Sequence, residues 1–215
     1  MLGIPAESLV AFILVAALVI AVPGPSVIFI VSRALASGRR VAVLSVLGNA
    51  LGEYAQVIVV ALGIGVLIEE SLVLFTGLKI VGGGYLIYLG VRTYLSRRHV
   101  VAALESVSAP RLMDGRPFLQ GVTVGATNPK TIVFMAAILP QFVRVPAGGV
   151  PLQILVLGAI FSAIAILSDS AWALAADAFR TWFARSPRRL ELIGGGGGIA
   201  IAALGVGLLV AGRKN

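Results

Sequence analysis

The sequence predicts an all-α integral membrane protein with six transmembrane helices, arranged as two inverted three-helix repeats. Of its 215 residues, 59% are hydrophobic and only 12% are charged, whereas soluble domains average about 45–50% apolar and about 25% charged residues. The mean hydropathy is +1.03. Six apolar segments each reach the ~20 residues that a helix needs to cross a bilayer, and they cover residues 8–32, 41–67, 71–91, 118–143, 150–176 and 190–211.

The two halves of the chain repeat each other. LKIVGGG at 78–84 matches LELIGGG at 190–196, and PSVIFIVSRAL at 25–35 aligns with PKTIVFMAAIL at 129–139. Duplicated hydrophobic halves with interrupted helices at matching positions are typical of secondary transporters, whose substrate sites lie near the breaks.

The repeats define the predicted organisation of a single transmembrane domain. Residues 1–95 form the first repeat, residues 96–117 a cytoplasmic connecting loop, and residues 118–215 the second repeat. Because each repeat has three spans, an odd number, its copy crosses the membrane in the opposite direction, which makes the repeats inverted.

The charges between the spans predict the topology. Positive residues mark the cytoplasmic side of a membrane protein. One face carries twelve arginines, counted as loop residues: Arg33, Arg39, Arg40, Arg92, Arg97, Arg98, Arg111, Arg116, Arg180, Arg185, Arg188 and Arg189. The other face carries Glu7, Glu69, Glu70, Arg144, Arg213 and Lys214. We therefore expect both termini outside the cytoplasm. The first segment lacks a positive n-region, so we expect it to be retained as a span.

The first span is predicted to break at a Pro-Gly-Pro motif. Pro23 and Pro25 flank Gly24, and Ser26 follows. Proline lacks an amide hydrogen and clashes with the preceding turn, and glycine loosens the backbone. Carbonyls freed inside a membrane must be satisfied by protein, water or ligand. We expect these four residues to contribute to a substrate site; the alternative is a simple kink.

The fourth span has a matching break that carries a charge. Asn128 and Lys130 flank Pro129, and Lys130 lies ~18 Å along the helix from Phe118, at about 1.5 Å per residue. A lysine at that depth costs several kcal/mol unless it is paired or lines a wet cavity. We expect Lys130 to bind a substrate carboxylate, helped by the positive end of the half-helix; snorkelling to the interface is the alternative.

Two carboxylates lie in the middle of spans at roughly equivalent positions of the two halves. Glu53 follows Asn49 in span two, and Asp169 precedes Trp172 in span five. Intramembrane carboxylates mark ion or proton pathways. We expect Glu53 or Asp169 to couple transport to protons, and Asn49 and Trp172 to bind the substrate. Trp172 and Tyr54 are candidates to line the same cavity, and packing is the alternative for these two aromatic residues. The alternative, an internal salt bridge with Lys130 or Lys79, does not exclude coupling.

Other classes of function find little support in the sequence. The chain has no cysteine and a single histidine, His99, so thiolate and histidine-rich metal sites are excluded. The arginine clusters between spans argue for membrane topology rather than for nucleic-acid binding. No ATP-binding motif and no cofactor motif occurs. A small-ion or metal exporter and an intramembrane enzyme remain as alternatives. The run Gly194–Gly198 predicts a helix-packing face, with a homodimer as one of its uses.

These motifs resemble those of the LysE/RhtB family of amino-acid exporters. Pro23-Gly24-Pro25 is similar to the family's first-span motif, and LKIVGGGYLIYLG at 78–90 to its third span. Asn128-Pro129-Lys130 resembles its fourth-span signature, and Asp169 with Trp172 its acidic–aromatic position in span five. Glu53 departs from the pattern, because aspartate is more usual there.

The resemblance implies a bacterial inner-membrane permease that exports amino acids or close relatives in exchange for protons. The charge pattern alone would equally fit uptake. The combined hypothesis places a zwitterionic amino acid between the two breaks. Lys130 and backbone amides receive its carboxylate, and Glu53 or Asp169 receives its ammonium group, one of the two also carrying the coupling proton.

Overall fold

The computed structural model describes residues 3–70, 72–95, 116–178 and 187–210, and within these ranges every regular element is a helix. This confirms the all-α prediction for the described part of the chain. Numbered in chain order, the helices are α1 Ala6–Ala21, α2 Pro25–Ser37, α3 Arg39–Glu70, α4 Leu72–Leu95, α5 Pro117–Thr127, α6 Pro129–Phe142, α7 Val150–Ala178 and α8 Pro187–Val210.

Both predicted breaks are present, and both begin at the residue before a proline. A proline disfavours the helical conformation at the preceding residue, and Val22, Gly24 and Asn128 are all extended. Pro25 and Pro129 then occupy the first turn of α2 and α6, where a missing amide hydrogen costs nothing. The chain bends by 53° between α1 and α2 and by 45° between α5 and α6.

Helix α6 changes its winding along its length. It begins as an α-helix over Pro129–Val133, widens to a π-helix over Phe134–Ile138, and tightens to a 3-10 helix over Leu139–Phe142. π-Helical turns are rare in proteins, and those that occur are often found at functional sites. The one in α6 begins at Phe134, four residues after Lys130.

Two stretches of the described residues are long and apolar enough to cross a membrane, Arg39–Gly63 in α3 and Val150–Ala176 in α7. The number rises to four if each bent pair is one span, and α8 adds a shorter apolar stretch, Gly195–Gly207. Large apolar side chains point outward, as a lipid-facing surface requires; Leu62 is 74% and Leu167 is 73% exposed. Six spans in inverted repeats stay a prediction.

The main core joins the two halves of the chain. Phe12 of α1, Phe134 of α6 and Phe161 of α7 are buried together, with ring centroids 6.0 Å apart for the first pair and 4.8 Å for the second. A smaller, separate core lies between α2, α3 and α7, and it consists of Ile30, Ala34, Ala42, Val46, Ala173 and Ala176.

Glycine lets α5 touch the backbone of α3 next to the predicted site. A Cβ added at Gly125 would collide with the Asn49 carbonyl. In the same way Gly198 of α8 packs on Gly90 of α4. Gly197, which meets the Val22 side chain, and Gly198 thus pack within the chain, whereas Gly196 has no neighbour within 4 Å. The packing role that the sequence predicts for the glycine run is seen at these two positions.

The predicted connecting loop, 96–117, lies outside the described residues except for Arg116 and Pro117. The boundaries of the two repeats are consequently predictions.

Candidate functional site

The ammonium group of Lys130 lies inside the break of the first bent pair. Its Nζ donates to the Val22 carbonyl at 2.8 Å and to the Val19 carbonyl at 3.0 Å. Both carbonyls belong to the C-terminal end of α1, where the prolines leave them without helical partners and where the helix dipole favours a cation. The side chain is buried and runs beside Gly24. Lys130 therefore stays in the protein interior, and the snorkelling alternative is wrong.

Asn128 connects the two breaks. Its Oδ1 accepts a hydrogen bond from the Lys130 backbone amide at 3.1 Å, which caps α6 in the manner of an N-cap asparagine. Its Nδ2 donates to the Ser26 hydroxyl at 2.7 Å, at the start of α2. Because both side chains are buried, this bond holds the first turns of the two half-helices against each other.

The two carboxylates are buried and each accepts a hydrogen bond from a different helix. Thr131 of α6 donates to Glu53 Oε1 at 3.2 Å, and Asn49 of α3 donates to Asp169 Oδ2 at 3.2 Å. Glu53 and Asp169 are each 4% exposed. Both interact electrostatically with Lys130, and Asp169 also acts on Glu53. The three ionisable groups thus form one buried cluster, as the sequence predicts.

Two acceptors of this cluster are left without donors. Glu53 Oε2 and Asn49 Oδ1 are buried and have no hydrogen-bond partner. The two residues are one turn apart on α3, and Asn49 lies beside the Glu53 carboxyl. Buried acceptors are normally satisfied, so the cluster offers a place for a group that brings hydrogen-bond donors. The Lys130 ammonium does not fill it, because its described hydrogen bonds go to carbonyls and not to a carboxylate.

The second break is satisfied by a residue that the sequence analysis missed. Gln56 of α3 donates from Nε2 to the carbonyls of Gly125 and Ala126 at 2.7 and 3.0 Å. A neutral amide at the end of α5 thus does what the Lys130 ammonium does at the end of α1. Thr131 was missed as well. Both are polar residues inside apolar spans, close in sequence to Glu53 and Lys130, and that signal could have identified them.

The remaining predicted residues lie around the cluster. Pro23 and Gly24 are half-buried in the first break, Pro25 is exposed, and Pro129 is half-buried at the start of α6. Trp172 is half-buried one turn beyond Asp169, and the described structure gives its indole no hydrogen bond to the cluster.

Arg33 is not a loop residue, contrary to its place among the topology arginines. It lies within α2, because that helix continues to Ser37 and ends only at Gly38, whose φ of 83° suits glycine. Its side chain is 5% exposed. The guanidinium carbon lies 5.3 Å from the centre of the Phe29 ring, a cation–π contact.

The described residues contain no group of three or more histidine, aspartate or glutamate side chains that could hold a metal ion. The groups that this cluster offers for binding are a buried lysine, two carboxylates and side-chain amides.

The sequence is similar to known membrane transport proteins. The family model described as LysE type translocator matches residues 17–212. A homoserine/homoserine lactone efflux protein of Salmonella typhimurium (strain LT2) is 30% identical over 187 residues, which are 85% of this chain and 86% of the relative. A membrane protein of Vibrio cholerae is 33% identical over 178 residues, 82% of this chain and 84% of the relative.

The membrane protein YrhP of Bacillus subtilis (strain 168) is 30% identical over 167 residues, 75% of this chain and 79% of the relative. No solved structure matches the chain. Translocators carry substrates across membranes, so the prediction of a transporter rather than an enzyme is confirmed. The match over most of the sequence shows that the chain belongs to the LysE type translocator family.

Proposed function

We propose that this protein is a secondary-active exporter of amino acids or their close derivatives, coupled to protons, in the bacterial inner membrane. The family supports export of amino-acid-type compounds, and homoserine and its lactone, the substrates in the name of a relative, are the first candidates. The buried cluster described above is the proposed binding site.

The single observation that carries the proposal is the pair of unfilled acceptors on α3. An ammonium group brings three N–H donors. Glu53 Oε2 and Asn49 Oδ1 lack donors, and Asp169 is the third acceptor nearby. An α-ammonium group placed among them would satisfy all three and would balance one of the two carboxylate charges. Both homoserine and homoserine lactone have such a group.

The charges of the cluster supply a reason for proton coupling. With Lys130 positive and both carboxylates negative, the empty site holds a net charge of −1, which is costly away from water. One proton on the Glu53–Asp169 pair removes that charge. The ammonium of homoserine lactone does the same, whereas the ammonium of a zwitterionic amino acid neutralises one carboxylate of the pair while its own carboxylate adds a negative charge beside Lys130. Because proton and ammonium satisfy the same groups, they compete. Competition for one site is the requirement for exchange of substrate against protons.

The carboxylate of a bound amino acid has few hydrogen-bond donors within reach. The Lys130 ammonium uses two of its three N–H groups on the carbonyls of Val19 and Val22. One N–H remains for a substrate, together with the backbone amides in the first turn of α2 that follow Gly24. We propose that these groups bind the carboxylate, with Trp172 beside the bound molecule.

The proposed topology keeps six spans in inverted repeats and both termini outside the cytoplasm. Helices α1–α2 and α5–α6 are both bent at a proline, and each is followed by a long helix, α3 or α7. Two inverted repeats, related by a half-turn about an axis in the membrane plane, allow one repeat to rock against the other. A homodimer, with a second copy on the outer faces of the helices, stays a prediction.

Transport in protein-only liposomes tests the function. We expect the purified protein to carry L-homoserine or its lactone, with counterflow of protons seen by an internal pH dye. Glu53→Gln and Asp169→Asn should abolish proton flux, while Glu7→Gln, an exposed glutamate outside the cluster, should behave as the native protein. Failure of the native protein to carry any amino acid or derivative would refute the function. Normal proton-coupled export by both cluster variants would refute the site.

A further inference from the structure

We propose that Arg33 forms a second binding site for the substrate's carboxylate, on the cytoplasmic side of the buried cluster. Substrate would dock there before it reaches Glu53 and Asp169. This inference rests on the proposed function. To the buried binding site it adds an outer site, which selects molecules with a free carboxylate.

Arg33 is a buried cation that faces no anion among the described residues. Its Nε is buried and has no hydrogen-bond partner, and its side chain is 5% exposed. Among the described residues the guanidinium contacts the Phe29 ring, and neither a carboxylate nor a carbonyl accepts from it. A buried charge that is unpaired is costly, so buried arginines are normally paired. Because no anion among the described residues pairs with Arg33, an anion bound from outside the protein would supply the missing partner.

The position of Arg33 on α2 connects it to the cluster. The buried residues of α2 form one stripe that includes Ser26, Ile30 and Arg33. Seven residues are nearly two turns at 3.6 residues per turn, so Arg33 lies on almost the same face as Ser26 and ~10 Å further along the helix. Ser26 is the residue that Asn128 binds at the first break. The stripe thus runs from the cluster to the end of the helix that precedes Arg39 and Arg40.

Two other helices have matching stripes of small residues. On α7, Ala173 and Ala176 follow Asp169 at four and seven positions, and on α3, Val46 and Ala42 precede Asn49 at three and seven positions. Together with Ile30 and Ala34 these residues form the smaller core, separate from the main one. This core and the hydrophobic residues packed against it, Phe29, Val31, Leu35 and Ile166, close the way between Arg33 and the cluster. Substrate would therefore pass from Arg33 to the cluster only when α2, α3 and α7 separate.

The chemistry of Arg33 favours a carboxylate. A guanidinium is planar and binds carboxylates and phosphates through two parallel N–H bonds. A lipid phosphate has the same chemistry, but Arg33 lies on the stripe that faces other helices rather than on the exposed surface of α2. The amino acid that must leave the cytoplasm is the anion that this route would admit.

Homoserine and its lactone provide the test, since both have an ammonium group and only homoserine has a free carboxylate. Inside-out membrane vesicles present the cytoplasmic face outward, and the initial rate of uptake is measured against the concentration of each compound. We expect Arg33→Gln to raise the KM for homoserine at least about tenfold, the effect of losing one charge-assisted hydrogen bond. The KM for the lactone and both maximal rates should be unchanged.

Matched variants control the experiment. Arg40→Gln removes an exposed arginine at the same end of the helices and should change neither KM. Arg33→Lys keeps the charge and loses the planar fork, so we expect a smaller rise in the homoserine KM alone; this variant decides the question if the glutamine variant does not insert into the membrane.

Other results would overturn the inference. An unchanged homoserine KM means that Arg33 binds no substrate, and equal losses for both compounds mean that its role is structural. A defect that appears only in vesicles rich in anionic phosphatidylglycerol, and not in neutral ones, assigns Arg33 to a lipid headgroup. If the native protein carries neither compound, the proposed function fails and this inference fails with it; if the native protein carries both, only the Arg33 site is in question.

Discussion

Replacing Lys130 by methionine should destabilise the protein by about 2–3 kcal/mol. The ammonium donates two hydrogen bonds to the freed carbonyls of Val19 and Val22. A neutral hydrogen bond between membrane helices contributes ~0.6 kcal/mol on average, and a charge-assisted one is roughly twice as strong. Two such bonds give ~2.4 kcal/mol. Methionine fills a similar volume, so this loss is not confused with a cavity.

Thermal unfolding in detergent measures the effect. For a chain of this size, each kcal/mol corresponds to about 2–4 °C in the melting midpoint, so Lys130→Met should melt roughly 5–10 °C below the native protein. Lys130→Arg keeps the charge and the donors and should lose less. An unchanged midpoint for Lys130→Met would show that the ammonium does not hold the first break, and it would leave Lys130 as a substrate ligand alone.

The remaining predictions concern the second break and the contact between α3 and α5. Gln56→Leu should cost about 1 kcal/mol, less than the lysine variant, because two neutral bonds are lost; a loss as large as that of the lysine variant would contradict the comparison of charged with neutral caps. Asn128→Ala removes the cap of α6 and should cost about 1 kcal/mol by the same melting assay; an unchanged midpoint would argue against that cap. Gly125→Ala places a methyl group against the Asn49 carbonyl and should cost about 1–3 kcal/mol, whereas Gly84→Ala, where nothing lies within 4 Å, should be neutral or stabilising by up to about 1 kcal/mol. Equal midpoints for the two alanine variants would refute the close approach of α3 and α5.

The two breaks are held by different chemistry, and that difference bears on the proposed mechanism. The carbonyls at the end of α1 bind a charged group that belongs to the same cluster as Glu53 and Asp169. Those at the end of α5 bind the neutral Gln56. In the proposed mechanism, binding of a proton or a substrate changes the charge near Lys130, whereas the Gln56 amide carries no charge of its own. We therefore expect the first break to respond to loading more than the second.

Local sequence was enough to place the breaks and to single out the three charged residues that the structure buries in one cluster. Steric exclusion before a proline acts over one or two residues, so Pro25 and Pro129 predicted where the half-helices begin. The rarity of charge in lipid made Glu53, Lys130 and Asp169 stand out in spans that are otherwise apolar. Composition and repeats predicted an all-helical membrane protein for the same reason: a helix satisfies its own backbone in lipid, whatever its neighbours are.

The tertiary structure alone decided which hydrogen-bond donor pairs with which acceptor. Lys130 lies more than a hundred residues after the carbonyls of Val19 and Val22 that it binds, and nothing local to either segment indicates the pairing. The same holds for Gln56 at the second break and for Thr131 at Glu53. Arg33 was counted with the loop arginines because the apolar pattern ends before it, yet α2 continues past it and buries it. Hydrogen bonds and burial depend on the distance between helices, which side-chain spacing along one helix does not contain.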